Sequence, residues 1–362
     1  MNIKNISNKI MISVLLVILC VIMSDINTTI NVSAVSNSTS EVVMEVNSNR
    51  VLYEKNSKDK KFMASTTKIL TAIVVIENID VNTEITVKKD TIGIEGSSIY
   101  LEEGEKLKVI DLLYGLMLRS GNDCAETLAV SVFGSIEKCA NVMNSLAKKI
   151  GAKDSNFVNP HGLHDDNHYT TAYDLGLISC YAMKNSIFRE IVGTKTKKIP
   201  FSTRDYDRIL INKNKMLKEF EGSNGIKTGY TKKAGRCLVS SCVRNGLELV
   251  CVVLNCPPMF ERSKTLLNQC FSEYKLYKII SKQEIIGFIP IGNSDKKCPV
   301  IINEDVNLPL TESEYNSLNV EVDLPKMINK PFDSGKEIGS IKIFSQNNLI
   351  FTQKIYTIVS IK

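Results

Sequence analysis

The chain of 362 residues contains no tryptophan, only three histidines and no C-x-x-C pair. Because paired cysteines at that spacing are typical of structural zinc sites, their absence argues against a zinc-binding module. No run of five like charges occurs and the formal charge is only +6, so the composition does not indicate a nucleic-acid-binding protein. The apolar run of residues 10–23 is shorter than the roughly 20 residues of a membrane-spanning helix.

That apolar run belongs to a secretory signal pattern. Lys4 and Lys9 precede it, and Val32 and Ala34 occupy the two small-residue positions of a cleavage site. We predict a signal peptide over residues 1–34 and an exported protein, at the extracytoplasmic face of the membrane or in the cell-wall space. An N-terminal anchor that stays uncleaved is the alternative.

Ten cysteines are many for an exported chain, and nine would remain after loss of Cys20, so complete internal pairing is excluded. Cys237, Cys242, Cys251 and Cys256 lie in apolar, β-branched segments. We interpret these four as small buried hydrophobic side chains.

The periodicity of the chain predicts helices enclosed between strands. Strand patterns cover 41–46, 51–55, 225–231, 236–244 and 247–255, and helical patterns cover 64–79, 109–134, 136–151 and about 258–278. This order predicts an α/β (α+β) domain, residues 35–280, with an antiparallel sheet flanked by helices and a helical subdomain. Short strands separated by Pro, Gly and Asn predict a small all-β domain over residues 281–362.

The C-terminal residues are rich in Ile, Thr, Tyr and Val and lack an apolar stripe at helical spacing. We predict that they form the last strand of the β domain, paired with residues 339–346 after a turn at Asn347 and Asn348. An interfacial amphipathic helix is therefore not expected here.

Lys68 stands in the strongly apolar stretch of residues 64–79, three residues after Ser65. In a helix that starts near Ser65 the two side chains share one face. The helix dipole is positive at the N-terminal end, so it disfavours a positive charge in the first turn. The apolar neighbours also reduce the solvation of a charged Lys68 side chain, and both effects favour the neutral amine. A neutral lysine can accept the proton of a serine hydroxyl and make it a nucleophile. The same spacing recurs elsewhere, for example at Ser57 and Lys60, so alone it is weak evidence.

Two further motifs strengthen the hypothesis. Ser120-Gly121-Asn122 follows an apolar helical stretch, and Lys227-Thr228-Gly229, the one K-T-G of the chain, lies on a predicted strand. S-x-x-K, S-D-N and K-T-G, in this order, mark serine β-lactamases and penicillin-binding proteins. Gly121 replaces the aspartate of the second motif.

With "NPHGL", "HYTTAYDL" and "KTGYTKKAGRCLV", these motifs make the sequence resemble low-molecular-mass penicillin-binding proteins, the serine D-Ala-D-Ala carboxypeptidases, over nearly the whole chain. The segment after residue 280 resembles their C-terminal domain. Met63 departs from the family, which often has proline there.

The resemblance implies an activity and a role for each motif residue. Ser65 would attack the carbonyl between the terminal D-alanines of a peptidoglycan stem peptide, with Lys68 as general base and Ser120 as proton relay to the leaving amine. Asn122 would bind the backbone amide of the substrate, and Lys227 and Thr228 would bind its carboxylate. Gly229 would allow the strand to approach the substrate closely. The backbone N–H groups of Ser65 and Tyr230 would form the oxyanion hole. β-Lactam antibiotics would acylate Ser65, and no cofactor is implied.

Three alternatives stay open. The segment with His161, His164 and His168 has the composition of a metal site, but no helix fixes its spacing, so we predict no metal. A β-lactamase would share the acylation step, but the E-x-x-L-N pattern that supports rapid deacylation in class A enzymes is absent. A catalytically silent binding protein would not need an intact Ser65 and Lys68. The sequence does not distinguish a vegetative from a sporulation role.

Overall fold

Most strands of the protein belong to a central antiparallel sheet or to a smaller β domain. The computed structural model describes residues 38–292, 295–331 and 333–360, and the predicted signal peptide lies outside them. In chain order the strands are β1 (Ser40–Glu45), β2 (Val51–Lys55), β3 (Glu84–Thr86), β4 (Lys106–Lys108), β5 (Thr196–Ile199), β6 (Arg208–Ile211), β7 (Ser223–Thr231), β8 (Gly235–Arg244), β9 (Leu247–Leu254), β10 (Lys275–Ile280), β11 (Ile285–Pro290), β12 (Lys297–Ile301), β13 (Val306–Leu310), β14 (Leu318–Asp323), β15 (Glu337–Ser345) and β16 (Asn348–Thr357). Of these, β3-β4 and β5-β6 form two separate two-stranded sheets.

The helices lie mostly between β2 and β7, as the sequence predicts. In chain order they are α1 (Lys68–Asn78), α2 (Val109–Tyr114), α3 (Asn122–Phe133), α4 (Ile136–Lys149), α5 (Ala172–Met183), α6 (Ser186–Gly193), α7 (Met216–Glu219), α8 (Met259–Glu273) and α9 (Glu312–Asn316). Short 3-10 turns cover Ala64–Thr67 and Lys89–Thr91, and a π-helical turn covers Gly115–Arg119.

The central sheet has the strand order β2-β1-β9-β8-β7 and is antiparallel throughout. Every residue of β9 is buried. Its side chains alternate between two apolar clusters, with Val250 and Val252 in one and Leu249 and Cys251 in the other. A sheet covered on both faces needs apolar residues at every position, which explains the continuous apolar run in this strand. β7 is the exposed edge of the sheet, and it carries the K-T-G motif.

Helix α1 lies in the middle of the helical subdomain. Its residues from Lys68 to Val75 are all buried, and the helix contacts α3, α4 and α5. Such complete burial explains why the sequence of α1 is apolar on all sides. It also fixes the N-terminal end of the helix against β7.

The C-terminal β domain has its own apolar core and a sheet in the order β11-β12-β16-β15-β14. Strand β16 pairs with β15, which confirms the predicted C-terminal hairpin, although the turn falls at Gln346 and Asn347. The predicted helix over 258–278 was too long: α8 ends at Glu273, because the alternating segment Lys275–Ile280 forms β10 and pairs with β13. The β structure therefore begins before residue 281.

The nine cysteines of the described residues are buried thiols without a disulfide. Cys237 and Cys251, for example, are fully buried in the sheet, which confirms the interpretation of these residues as small hydrophobic side chains. Across the described ranges we find no helix that is both long and apolar enough to cross a bilayer.

Candidate active site

Ser65 lies on the short 3-10 turn that leads directly into α1. The preceding residue, Ala64, has a φ of 48°, a left-handed conformation that is uncommon for a residue with a side chain. Gly162 lies against the Ala64 carbonyl so closely that a Cβ on the glycine would clash with that oxygen. Packing on this carbonyl holds the strained turn, and the turn directs Ser65 toward the edge of the sheet.

A buried hydrogen-bond chain supports the same turn. The Val158 N–H donates to His168 Nδ1 over 3.1 Å, so the ring proton resides on Nε2, which donates to Thr67 Oγ1 over 2.8 Å. The Thr67 hydroxyl in turn donates to the Ala64 carbonyl over 2.8 Å. Burial lowers the pKa of His168 to about 3, so the ring is neutral and structural.

The side chain of Lys68 is completely buried and reaches three oxygen atoms. Its Nζ lies 2.6 Å from Asn122 Oδ1, 2.6 Å from the His161 carbonyl and 3.2 Å from Ser65 Oγ. A neutral amine has two N–H donors and one lone pair. If the two short contacts take the donors, the lone pair is left to accept the Ser65 hydroxyl proton.

The electrostatic environment favours that neutral form. Burial, and then the nearby charge of Lys227, hold the pKa of Lys68 well below its usual range. The described residues place no carboxylate in an ion pair with this amine. The distance to Ser65 Oγ and the lowered pKa are both compatible with the general-base role predicted for Lys68.

Ser120 lies at a break in the helical pattern predicted over 109–134. The π-helical turn ends at Arg119, Ser120 has a φ of 65°, and α3 begins only at Asn122. The break turns the Ser120 side chain toward Ser65, and both line one cavity. Both polar atoms of the Asn122 side chain form hydrogen bonds within the protein: Oδ1 accepts from Lys68 Nζ, and Nδ2 donates to the Glu95 carbonyl.

The edge strand β7 closes the site opposite Ser65. A Cβ on Gly229 would lie 3.1 Å from the Ser65 backbone nitrogen, so glycine permits the close approach of strand and 3-10 turn. Thr228 and Tyr230 face the cavity. Lys227 is buried, and burial together with the charge of Lys213 lowers its pKa to about 7. A bound carboxylate would favour its charged form again.

The cavity at this junction has a volume of about 290 Å³. Its lining consists of Ser65, Ser97, Ser120, Lys213, Thr228, Gly229, Tyr230, Met259 and Phe260. Five of these residues were predicted from the motifs. Lys68, Asn122 and Lys227 lie just behind the wall, so direct substrate contacts of Asn122 and Lys227 stay predictions. A larger cavity of about 520 Å³, lined among others by Arg244 and Lys275, contains none of the motif residues.

Lys213 is the main site residue that the sequence did not reveal. Its Nζ donates to Ser97 Oγ over 3.0 Å at the cavity, and burial lowers its pKa. No motif surrounds Lys213, and only the packing of the segment after β6 against Leu118 brings it to the site. Lys213 stands fourteen positions before the K-T-G motif, and nothing in the sequence around it indicates an active-site residue.

The histidine-rich segment does not gather its side chains around one point. His161 Nε2 lies 3.3 Å from Glu126 Oε1, His168 contacts Thr67, and His164 packs on the edge of Phe62. Burial lowers the pKa of His161. Within the described ranges, no cluster of three His, Cys, Asp or Glu side chains is close enough to hold a metal ion.

A buried ionic network fixes the loop that carries Ser97. The Asp123 carboxylate accepts the N–H groups of Ile99 and Leu101, each over 3.1 Å. Arg208 donates to the Ile99 and Tyr100 carbonyls over 3.0 and 2.8 Å. The guanidinium also pairs with Glu105, whose side chain is fully buried. Asp123 thereby fixes backbone N–H groups of the loop, and Arg208 fixes backbone carbonyl groups of the same loop.

We expect Arg208→Gln to lower the free energy of unfolding by about 3–5 kcal/mol, because it leaves the Glu105 carboxylate buried without its partner. Urea unfolding measures the change. Arg204→Gln is the matched control: Arg204 pairs with Glu102 at the surface, and its loss should have a much smaller effect. Equal losses in the two variants would contradict a structural role for the buried pair.

Comparison with known proteins places this geometry in a family. Residues 27–257 match the D-alanyl-D-alanine carboxypeptidase family, peptidase S11, and residues 274–362 match the C-terminal domain of penicillin-binding protein 5. The D-alanyl-D-alanine carboxypeptidase DacF of Bacillus subtilis is 28% identical over 312 residues, 83% of this chain and 80% of that protein. DacC of Escherichia coli is 33% identical over 83% of this chain and 78% of that protein.

Solved structures agree with this assignment. Penicillin-binding protein 5 of Haemophilus influenzae has a TM-score of 0.77 at 24% identity and covers 92% of this chain and 98% of its own, which shows the shared fold. A point mutant of the Streptomyces K15 DD-transpeptidase has a TM-score of 0.61 at 30% identity, with 67% of this chain and 99% of that chain covered. The resemblance and the fold class predicted from the sequence are confirmed, and the chain belongs to the D-alanyl-D-alanine carboxypeptidase family, peptidase S11.

Proposed function

We propose that this protein is a serine D-Ala-D-Ala carboxypeptidase that removes the C-terminal D-alanine from peptidoglycan stem pentapeptides and matures the cell wall. The observation that carries the proposal is the buried Lys68 amine, 3.2 Å from Ser65 Oγ at the wall of an open cavity. Family membership supports the same activity.

In the acylation step, Ser65 Oγ attacks the carbonyl carbon of the penultimate D-alanine while Lys68 Nζ accepts the hydroxyl proton. The backbone N–H groups of Ser65 and Tyr230 are the proposed donors to the developing oxyanion. Such donors contribute roughly 3–4 kcal/mol each in related acyl-transfer enzymes. When the C–N bond breaks, the proton passes by way of Ser120 to the amine of the departing D-alanine. In the second step, water gives a proton to Lys68 and attacks the ester carbonyl. The bond between that carbon and Ser65 Oγ then breaks, Lys68 returns the proton to Oγ, and the shortened peptide leaves with a new terminal carboxyl group.

The substrate carboxylate has three proposed partners. Thr228 and Lys213 line the cavity and supply a hydroxyl and an ammonium, and Lys227 adds a positive charge directly behind them. A carboxylate in a partly desolvated pocket needs charge-assisted donors of this kind. Asn122 keeps its proposed place beside the substrate amide, although its closest contact is Lys68 Nζ. No metal or other cofactor takes part in the proposed chemistry.

The proposed location is extracytoplasmic, where peptidoglycan is exposed. The N-terminal pattern supports a signal peptide over residues 1–34, and a catalytic domain over 35–280 with a β domain over 281–362 is the proposed organisation. Cleavage after Ala34 would release the protein into the wall space, whereas an uncleaved segment would keep it at the membrane. Sequencing of the mature N-terminus in cell fractions distinguishes the two.

Release of D-alanine tests the proposed activity. Purified protein incubated with a pentapeptide that ends in D-Ala-D-Ala should release one D-alanine, and prior incubation with penicillin should block the release. Because this chain lacks the E-x-x-L-N pattern, the penicilloyl enzyme should persist for much longer than a turnover. Rapid hydrolysis of penicillin without D-alanine release would favour a β-lactamase instead.

A further inference from the structure

A second cavity adjoins the active-site cavity. The second one has a volume of about 200 Å³ and shares Met259 and Phe260, at the start of α8, with the cavity that contains Ser65. A substrate larger than two alanines would therefore have a second cavity beside the first to extend into. The function of this extension is not part of the acyl-transfer machinery described above.

The second cavity lies on the upstream side of the proposed substrate. Arg236 lines it and is the direct cross-strand partner of Tyr230, with its guanidinium carbon 5.7 Å from the centre of the Tyr230 ring. In the proposed binding mode the terminal carboxylate meets Thr228, and the reacting carbonyl meets the N–H of Tyr230. Residues before the two D-alanines then leave the site past Tyr230, toward Arg236.

The charges of the second cavity favour an anion. Lys215, Arg236, Glu219 and Glu261 line it, but Lys264 Nζ lies 3.0 Å from a carboxylate oxygen of each glutamate and neutralises part of their charge. In the described part of the chain, neither Lys215 nor Arg236 forms an ion pair with an acidic side chain. Two cations are thus available at the wall of the cavity that adjoins the one lined by Ser65.

On the basis of the proposed function, we propose that this second cavity is a subsite for a free carboxylate on the residue two positions before D-Ala-D-Ala, where a stem peptide carries D-glutamate. An extended chain covers about 3.3–3.6 Å per residue, so a residue two positions upstream lies roughly 7 Å further along the chain, on the side of the second cavity. Arg236 offers a planar pair of donors to the carboxylate, and Lys215 offers a point charge. A carboxamide at that position would gain neither charge-assisted contact.

The test compares two pentapeptides that differ in one group, the free D-glutamate carboxylate or its carboxamide. We expect kcat/KM to be about fivefold higher for the carboxylate peptide, as partly exposed charge pairs allow, and the ratio to fall with ionic strength. In the double variant with Arg236→Gln and Lys215→Gln, the ratio of the two kcat/KM values should approach one. The matched control is Lys218→Gln, an exposed lysine of α7 that does not line the cavity, and its ratio should equal that of the unaltered protein.

A diacetyl-Lys-D-Ala-D-Ala tripeptide, which lacks the D-glutamate residue, separates this proposal from the proposed function. If the tripeptide and both pentapeptides are cleaved but the two pentapeptides react equally, the carboxylate subsite is overturned and the carboxypeptidase stands. A ratio that survives in the double variant also overturns the subsite. If none of the three peptides releases D-alanine, the proposed function fails and the subsite fails with it.

Discussion

Ser65→Ala is expected to abolish D-alanine release and covalent labelling by penicillin, with a loss of at least about four orders of magnitude in kcat. Ser65 Oγ is the hydroxyl that lies 3.2 Å from the buried Lys68 amine, and the bulk of the cavity would be unchanged in the variant. Ser120 also lines the cavity, but its hydroxyl is proposed to relay a proton rather than to attack. The measurement is the rate of D-alanine release together with the extent of labelling.

The control for this variant is Ser145→Ala. Ser145 and Lys148 have the same S-x-x-K spacing, but Ser145 is exposed on α4 and its hydroxyl donates to the Asn141 carbonyl. Its replacement should leave activity and labelling unchanged. Labelling that persists in Ser65→Ala would place the nucleophile elsewhere and contradict the assignment.

Lys68→Arg is expected to reduce the rate of acylation by penicillin by about 10²–10⁴-fold. Arginine keeps a positive charge near neutral pH, so it cannot accept the Ser65 proton. Lys68→Met tests the same point without the added guanidinium, since Lys68 is completely buried and a bulkier group could disturb the turn. Acylation rates from stopped-flow labelling provide the measurement, and urea unfolding shows whether each variant still folds.

Lys148→Arg, at an exposed S-x-x-K lysine, is the control and should acylate at the normal rate. Normal acylation by Lys68→Arg would show that the lysine has a structural role only. A pH profile adds a second readout. The base must be deprotonated, and burial lowers the pKa of Lys68, so activity should persist to a lower pH than an ordinary lysine would allow and should fall as pH decreases through that pKa.

The sequence indicated several residues that line the cavity, because the motif residues occur at fixed spacings along short stretches of the chain. Ser65 and Lys68 are separated by one helical turn, and the K-T-G residues follow one another on β7. Local backbone geometry therefore determined the relative positions of the residues within each motif. The packing of the predicted helices against the predicted sheet placed the motifs next to one another. The proposed proton-accepting role of Lys68 also followed from local reasoning, since its apolar neighbours were visible in the sequence.

Features that depend on long-range packing were not predictable in this way. Lys213 reaches the cavity through contacts with Leu118 and Ser97, which lie far away in the chain. The boundary between α8 and β10 was misplaced, because the strand is defined by its pairing with β13 rather than by local propensity. Asn122 was expected to face the substrate, and its close contact with Lys68 became visible only in the assembled structure.

In the proposed mechanism Ser65, activated by Lys68, carries the acyl group. The most direct measurement is mass spectrometry of the intact protein after reaction with penicillin, followed by peptide mapping of the adduct. We predict one penicilloyl group per chain, on the peptide that contains Ser65, and no adduct in Ser65→Ala. An adduct on any other residue, or none on the unaltered protein, would contradict the account.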